Sequence, residues 1–321
     1  MPVVTTASPA ARSRAGAGLL FLIMSGLLWG TGGLIGSLLG RDTGLSALSV
    51  AAYRLTAGGI LIVAVLTAAR RRWPRGRRAW RRIAVVGLLA ALFQSCYFMA
   101  VSLTSVSLAT LITIGSAPVI VQAADRVAGR RRIGPLAAAS TCLALAGLGL
   151  LAGVPAGGFT ETAVLASAGL AVLAAAGFAT LTLIGARPVP GLDELTVTGF
   201  GFTVGGLALL PLAAVTTGAG FRPGPASIGL LIALGTGPTA AAYTLYFRGL
   251  RTATPGTAAL LTLLEPLTGA LLAAVVLGDR LGPAGLAGAA VLAASVTLTV
   301  YGQQQASQEQ AVPVARESRT P

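Results

Sequence analysis

Two ionisable side chains interrupt long apolar stretches of this 321-residue chain, Arg54 in AAYRLTAGGILI and Glu265 in ALLTLLEPLTGALL. Glu265 stands some ten residues into its stretch, about 15 Å deep at 1.5 Å per residue. That is near the middle of a hydrocarbon core about 30 Å thick. An ionisable group at such a depth is costly and marks a functional site by default; a carboxyl group there could take up and release a proton. The bland alternative is a neutral Glu265 that joins two helices by a hydrogen bond. Pro266 follows directly and has no N–H, so the Thr262 carbonyl loses its helical donor and is expected to turn toward a cavity. Arg54 lies about 12 Å from the end of its own stretch. Its side chain could snorkel or bind helix-end carbonyls, attract a substrate carboxylate or phosphate, or pair with Glu265.

Other chemistries lack their residues. There is no histidine, and Cys96 and Cys142 lie in separate apolar segments without CxxC spacing. Imidazole catalysis, a Cys/His metal site and a disulfide framework are therefore not expected, and both thiols read as core residues. No Gly-rich loop with a following Lys is present to cradle phosphates, which argues against direct ATP driving. No cofactor and no metal are implied.

The elements that position these residues follow from composition. Charged residues make up 10% and hydrophobic residues 55%, which describes a chain dissolved in lipid. Apolar runs predict helices near 18–39, 46–68, 83–103, 105–124 and 133–153, and again near 163–185, 194–217, 226–248, 254–277 and 282–302. The first run is too long for the apolar part of a cleaved signal. Tight links are expected near Thr104 and Gly278. Residues 1–15 and 303–321 are polar and aperiodic, so disordered cytoplasmic tails are expected.

All 23 basic residues are arginine, and the formal charge is +14. With the N-terminus placed in the cytoplasm, nineteen arginines fall inside, eight of them in RRRWPRGRRAWRR (Arg70–Arg82). Arg41, Arg222 and Arg280 fall outside, and Arg54 lies in the membrane. This bias orients both termini toward the cytoplasm. The arginines occupy short links without a folded basic domain, so nucleic acid is not an expected partner.

A shift of 148 residues superimposes the two halves. Pro118 falls on Pro266, Gly134-Pro135 on Gly282-Pro283, Gly87 on Gly235 and Gly58 on Gly206. An odd number of helices per unit forces the second unit to enter the membrane in the opposite direction. The expected fold is all-α, with ten transmembrane helices as two inverted five-helix repeats. Such repeats build secondary transporters, because two opposed halves can exchange conformations around one central site.

The segments LLWGTGGLIGSLL (27–39), AAYRLTAGGILI (51–62) and ATPGTAALLTLLEPLTGALLAAVVLGDRLGPAGLAGAAVL (253–292) carry a family resemblance. The chain resembles the EamA-like branch of the drug/metabolite transporter superfamily, over roughly residues 18–300. The resemblance implies five-helix repeats at 16–153 and 163–302. The first repeat departs from the family's Gly-acid-Arg turn with Gly129-Arg130-Arg131.

The helices that this family places around its cavity carry Trp29, Gln94, Tyr97, Thr113, Tyr243, Tyr246 and Thr262, which join Arg54 and Glu265 as candidate substrate contacts. Gln94 and Tyr97 share a helix face, as do Tyr243 and Tyr246. Each taken singly is as well read as a packing residue. Pro118 and Pro266 are the expected helix kinks. The spacings Gly32/Gly36, Gly36/Gly40 and Gly201/Gly205 permit close helix packing, with a homodimer as the alternative use.

The expected function is secondary transport of a small metabolite, amino-acid-like or drug-like, by export from the cell across the plasma membrane, with Glu265 available for proton coupling. The expected partners are the solute and the lipid bilayer. The competing readings are a membrane scaffold or sensor, which would need a domain that the short loops and plain tails do not offer, and an intramembrane enzyme, which would need clustered acids, histidine or a metal motif.

Overall fold

The computed structural model describes residues 9–130, 133–153, 158–278 and 282–309. Among these described residues, ten helices are long and apolar enough to cross a membrane. They are α1 (Gly16–Thr43), α2 (Ala47–Ala68), α3 (Arg77–Leu103), α4 (Val106–Val127), α5 (Pro135–Ala152), α6 (Glu161–Gly185), α7 (Glu194–Thr216), α8 (Pro225–Gly249), α9 (Pro255–Val276) and α10 (Pro283–Ala306). Their starts are written into the sequence. Side chains of Ser46, Ser105, Thr160, Asp193 and Thr254 accept from backbone N–H groups three residues on, and Pro135, Pro225 and Pro255 occupy first helical positions. Both devices meet the unpaired donors of a first turn.

The helices pack as an inverted repeat requires. α2 lies on α7 and α5 on α10, each against its own repeat equivalent. The other large contacts come in exchanged pairs: α3 on α6 with α8 on α1, α3 on α7 with α8 on α2, and α4 on α6 with α9 on α1. The protein is thus an all-α membrane bundle of two inverted five-helix halves. Leu20, Ile60, Val65, Leu165 and Leu207 are exposed on its outer surface, as lipid contact demands.

Small residues set the closest crossings. A Cβ on Gly87 of α3 would lie 2.3 Å from the Gly201 carbonyl oxygen of α7, and one on Gly205 would lie 2.5 Å from the Gly87 carbonyl oxygen. The Gly201/Gly205 spacing is therefore used within the chain, where it lets α3 and α7 approach backbone to backbone.

Two helices depart from regular geometry. In α8, residues Thr236–Ala241 form a π turn around Pro238. Pro238 cannot donate to the Leu234 carbonyl, and the Thr239 hydroxyl does so instead at 2.7 Å. In α9 the helix stops at Leu261 and resumes at Leu264. Pro266 places this break one turn ahead of itself, because its ring crowds the carbonyl four residues back. The expectation of a free Thr262 carbonyl is corrected: the Glu265 N–H donates to it at 2.9 Å. α4 continues unbroken through Pro118, so of the two prolines only Pro266 is preceded by a break in its helix.

Other expectations are adjusted. Cys96 is buried, but Cys142 is exposed on the bundle surface, since its helix α5 buries mainly the face of Ser140, Ala144, Gly147 and Leu148. The helix of α10 runs on to Glu309 and that of α1 starts at Pro9, so parts of both expected tails are helical. Gln and Ala favour the helix, and Gln303 is held by the Thr257 hydroxyl at 2.8 Å. The rest of both tails, Arg131, and Asp279-Arg280 of the Gly-acid-Arg turn lie outside the described residues. Arg130 pairs with the buried Asp125 at 3.5 Å, an acid near the end of α4 that hydropathy alone did not single out.

Replacing Gly87 by Ala should lower stability by about 1–3 kcal/mol through overpacking, seen as a lower thermal midpoint in detergent. Gly149→Ala, where a Cβ would meet nothing within 4 Å, should leave the midpoint unchanged or raise it.

Candidate functional site

Seven helices, α1 to α4, α6, α8 and α9, enclose a cavity of about 230 Å³. α1 contributes Trp29, Gly30 and Gly33, α2 contributes Arg54, and α3 contributes Gln94 and Tyr97. Thr113 comes from α4, Tyr243 from α8, and Thr262, Glu265, Pro266 and Gly269 from α9. Eight of the nine candidate contacts therefore line one space, although they come from both repeats.

Local features aim the two charged groups. The break in α9 falls within the wall, directly before Glu265. Gly30 lets α1 lie against this segment, where a Cβ would meet Thr268 at 2.4 Å and the Glu265 carbonyl oxygen at 2.9 Å. A Cβ on Gly32 would lie 3.1 Å from Pro238 and 3.8 Å from Arg54 Nη1, so the guanidinium passes beside α1 next to the π turn. The Tyr243 hydroxyl faces Arg54. Among the described residues, ion pairs within 4 Å join Arg130 to Asp125 and Arg251 to Glu194. Arg54 and Glu265 share a cavity without pairing.

The polar groups divide into engaged and free. Tyr97 and Thr110 hydrogen-bond through their hydroxyls at 2.7 Å, Thr113 donates to the Ala171 carbonyl at 3.3 Å, and Thr262 donates to the Ala259 carbonyl at 2.7 Å. Arg54 Nε and Trp29 Nε1 are buried without a hydrogen-bond partner among the described residues. Orphaned buried donors cost about 1–3 kcal/mol each, so two residues of the cavity wall carry an unsatisfied donor in the same lining as the Glu265 carboxyl group.

Tyr246 is a correction. It is buried behind the cavity, does not line it, and its hydroxyl bonds Thr182 at 2.8 Å. It sits three residues after Tyr243 and packs its ring on Trp29 at 5.0 Å and Phe178 at 5.7 Å. Together with Tyr243 on Phe202 at 4.5 Å, these rings close the bundle beneath the cavity. Sequence reasoning missed Phe93, Phe98, Thr110 and Phe178 in the lining. Phe93, Phe98 and Thr110 were within reach, being close along their helices to Gln94, Tyr97 and Thr113; Phe178 stands alone in an Ala/Leu-rich helix that offers no signal.

A second cavity, about 330 Å³, opens among α4, α5, α9 and α10. Several of its polar side chains already have partners, Gln122 in Thr141 at 2.8 Å, Thr257 in Gln303 at 2.8 Å and Thr299 in the Ser295 carbonyl at 2.8 Å.

Ten spanning helices in two inverted halves around a cavity with opposed charges define a membrane transporter of the drug/metabolite type. The chain belongs to the EamA-like transporter family, whose profile matches residues 16–153 and 165–301. A Bacillus subtilis (strain 168) protein described as the uncharacterized transporter YwfM is 29% identical over 282 residues, covering 85% of this chain and 90% of its own. A solved crystal structure of a protein shares the fold with a TM-score of 0.74 at 20% identity, covering 88% of this chain and 97% of its own.

Tyr246→Phe should lower stability by about 1 kcal/mol, the worth of one hydrogen bond, and leave any ligand-induced rise in melting temperature unchanged. Tyr243→Phe, which alters the group facing Arg54, should reduce that rise.

Proposed function

We propose that this protein is a secondary transporter that exports a small zwitterionic, amino-acid-like solute across the plasma membrane through the central cavity. The observation that carries this reading is the unpaired Arg54 and Glu265 in one aromatic-lined space. A buried charge needs a partner, and a solute with a carboxylate and an ammonium group supplies one to each. The carboxylate meets Arg54 and the Trp29 N–H; the ammonium meets Glu265 and the amide of Gln94. The rings of Phe93, Tyr97, Phe178 and Tyr243 cover the apolar remainder of the solute.

Both termini are assigned to the cytoplasm from the arginine bias. The lining residues then lie toward the links α1–α2 and α3–α4, on the outer side, with the aromatic floor toward the cytoplasm. Export requires the opposite opening, in which the floor parts and the outer ends of α3, α4 and α9 come together. Inverted halves make the two states related by a pseudo-two-fold rotation about an axis in the membrane plane. Glu265 couples the exchange to protons by binding the ammonium when ionised and releasing it when protonated.

Two measurements test this. Arg54→Ala should weaken an amino acid's stabilisation of the purified protein by about tenfold or more in affinity, the loss of one or two charged hydrogen bonds, and should not change the effect of the corresponding amino-acid ester. Equal losses for both compounds would remove the carboxylate from Arg54. In liposomes, Glu265→Gln should abolish accumulation driven by a pH gradient while the protein still inserts into the membrane; normal gradient-driven uptake by this variant would exclude proton coupling through Glu265.

A further inference from the structure

We infer that the segment Arg70–Arg82, the link after α2 together with the first turns of α3, is a binding surface for anionic phospholipid headgroups, beyond its part in setting topology. It holds eight arginines in thirteen residues, and all but Arg82 are exposed. None of the exposed guanidinium groups has an ion-pair or hydrogen-bond partner among the described residues. Arg82 alone is tied down, donating to the carbonyls of Ile184 and Arg187 at the end of α6.

The surface is a built platform. Pro74 is buried, and Ala79 and Ile83 join Ile62, Leu66, Leu192 and Phe200 in a local core. Two tryptophans stand beside the arginines, Trp73 at 56% and Trp80 at 41% exposure, both edge-on to Phe200 at 5.4 and 5.5 Å. The turn that follows α2 holds Arg70 at φ +50°, a left-handed position that glycine fills without the Cβ penalty. A topology signal needs positive charge alone. Arginines fixed on a packed platform at a helix end, with half-exposed tryptophans among them, match the headgroup level of a leaflet, where indole rings settle and clustered arginines attract anionic lipid. Because the platform rests on α7 of the other repeat, a bound lipid would touch both halves. The assignment holds whichever solute the cavity carries.

The chain has three tryptophans, and Trp29 is enclosed in the bundle at 5% exposure, so lipid-borne quenchers report on Trp73 and Trp80. In bilayer discs of phosphatidylcholine, acyl-brominated phosphatidylglycerol should quench fluorescence about twofold more than brominated phosphatidylcholine at the same mole fraction. The excess should vanish in about 1 M salt, where the Debye length is about 3 Å. It should fall in Arg71→Gln/Arg72→Gln/Arg75→Gln, which keeps the other five arginines for topology, and persist in the matching Arg→Lys variant. Equal quenching by both lipids in the wild-type chain at low salt would overturn the proposal, and the salt series decides alone if the Gln variant fails to fold. An undiminished excess in a folded Gln variant would overturn it too. So would tighter binding of a DNA oligonucleotide than of phosphatidylglycerol micelles, which would make the segment a nucleic-acid surface.

Discussion

The absence of water inside a bilayer is the constraint on which this structure depends. Each backbone polar group must be satisfied within the chain, so each departure from a regular helix needs a local replacement. Both such departures near the middle of the bundle are of this kind. Pro238 takes a donor from Leu234 and Thr239 restores it; Pro266 takes one from Thr262 and the Glu265 N–H restores it with a tighter turn. These repairs reshape two helices at the places where they border the cavity, one beside Arg54 and the other at Glu265. A further π turn, Ala273–Leu277 at the end of α9, lies away from the cavity lining.

The same constraint explains why the scaffold is symmetric while the cavity is not. The repeat equivalents of Arg54 and Glu265 are Phe202 and Ala117. Ala117 lines the cavity and Phe202 packs beneath Tyr243 in its floor. Duplicating either charge would place like charges together in a medium that penalises even one. The glycines behave differently: Gly58 and Gly87, with their equivalents Gly206 and Gly235, occupy close crossings in both halves, because close backbone approach is a property of the scaffold that both halves share.

The family and the inverted-repeat fold make this a transporter of the drug/metabolite type, and the unpaired charges give the proposed solute its shape. An acid and a base that face the same space without meeting leave room for a molecule bearing both opposite charges. The aromatic cluster of Trp29, Phe178, Tyr243 and Tyr246 then separates that space from the end of the bundle where the arginines collect. The two ends differ accordingly: one holds the cavity, and the other holds the ties from Arg82 to α6 and from Arg251 to Glu194.

The sequence alone determined the ten helices and their approximate ends, because apolar length and capping chemistry are local properties. It determined the inverted halves, because an odd helix count in a repeat admits no other arrangement. It also singled out Arg54 and Glu265, because a charge in an apolar run is visible without coordinates. What only the tertiary structure decided is which faces meet. It joined eight candidate residues from both repeats in one cavity, moved Tyr246 behind it, left Arg54 and Glu265 unpaired, turned Cys142 outward and broke α9 at Pro266 while α4 passed unbroken through Pro118. In lipid both sides of a helix are apolar, so periodicity does not mark the inward face as it does in water. Helix rotation is set instead by small residues and hydrogen bonds between segments distant in the chain.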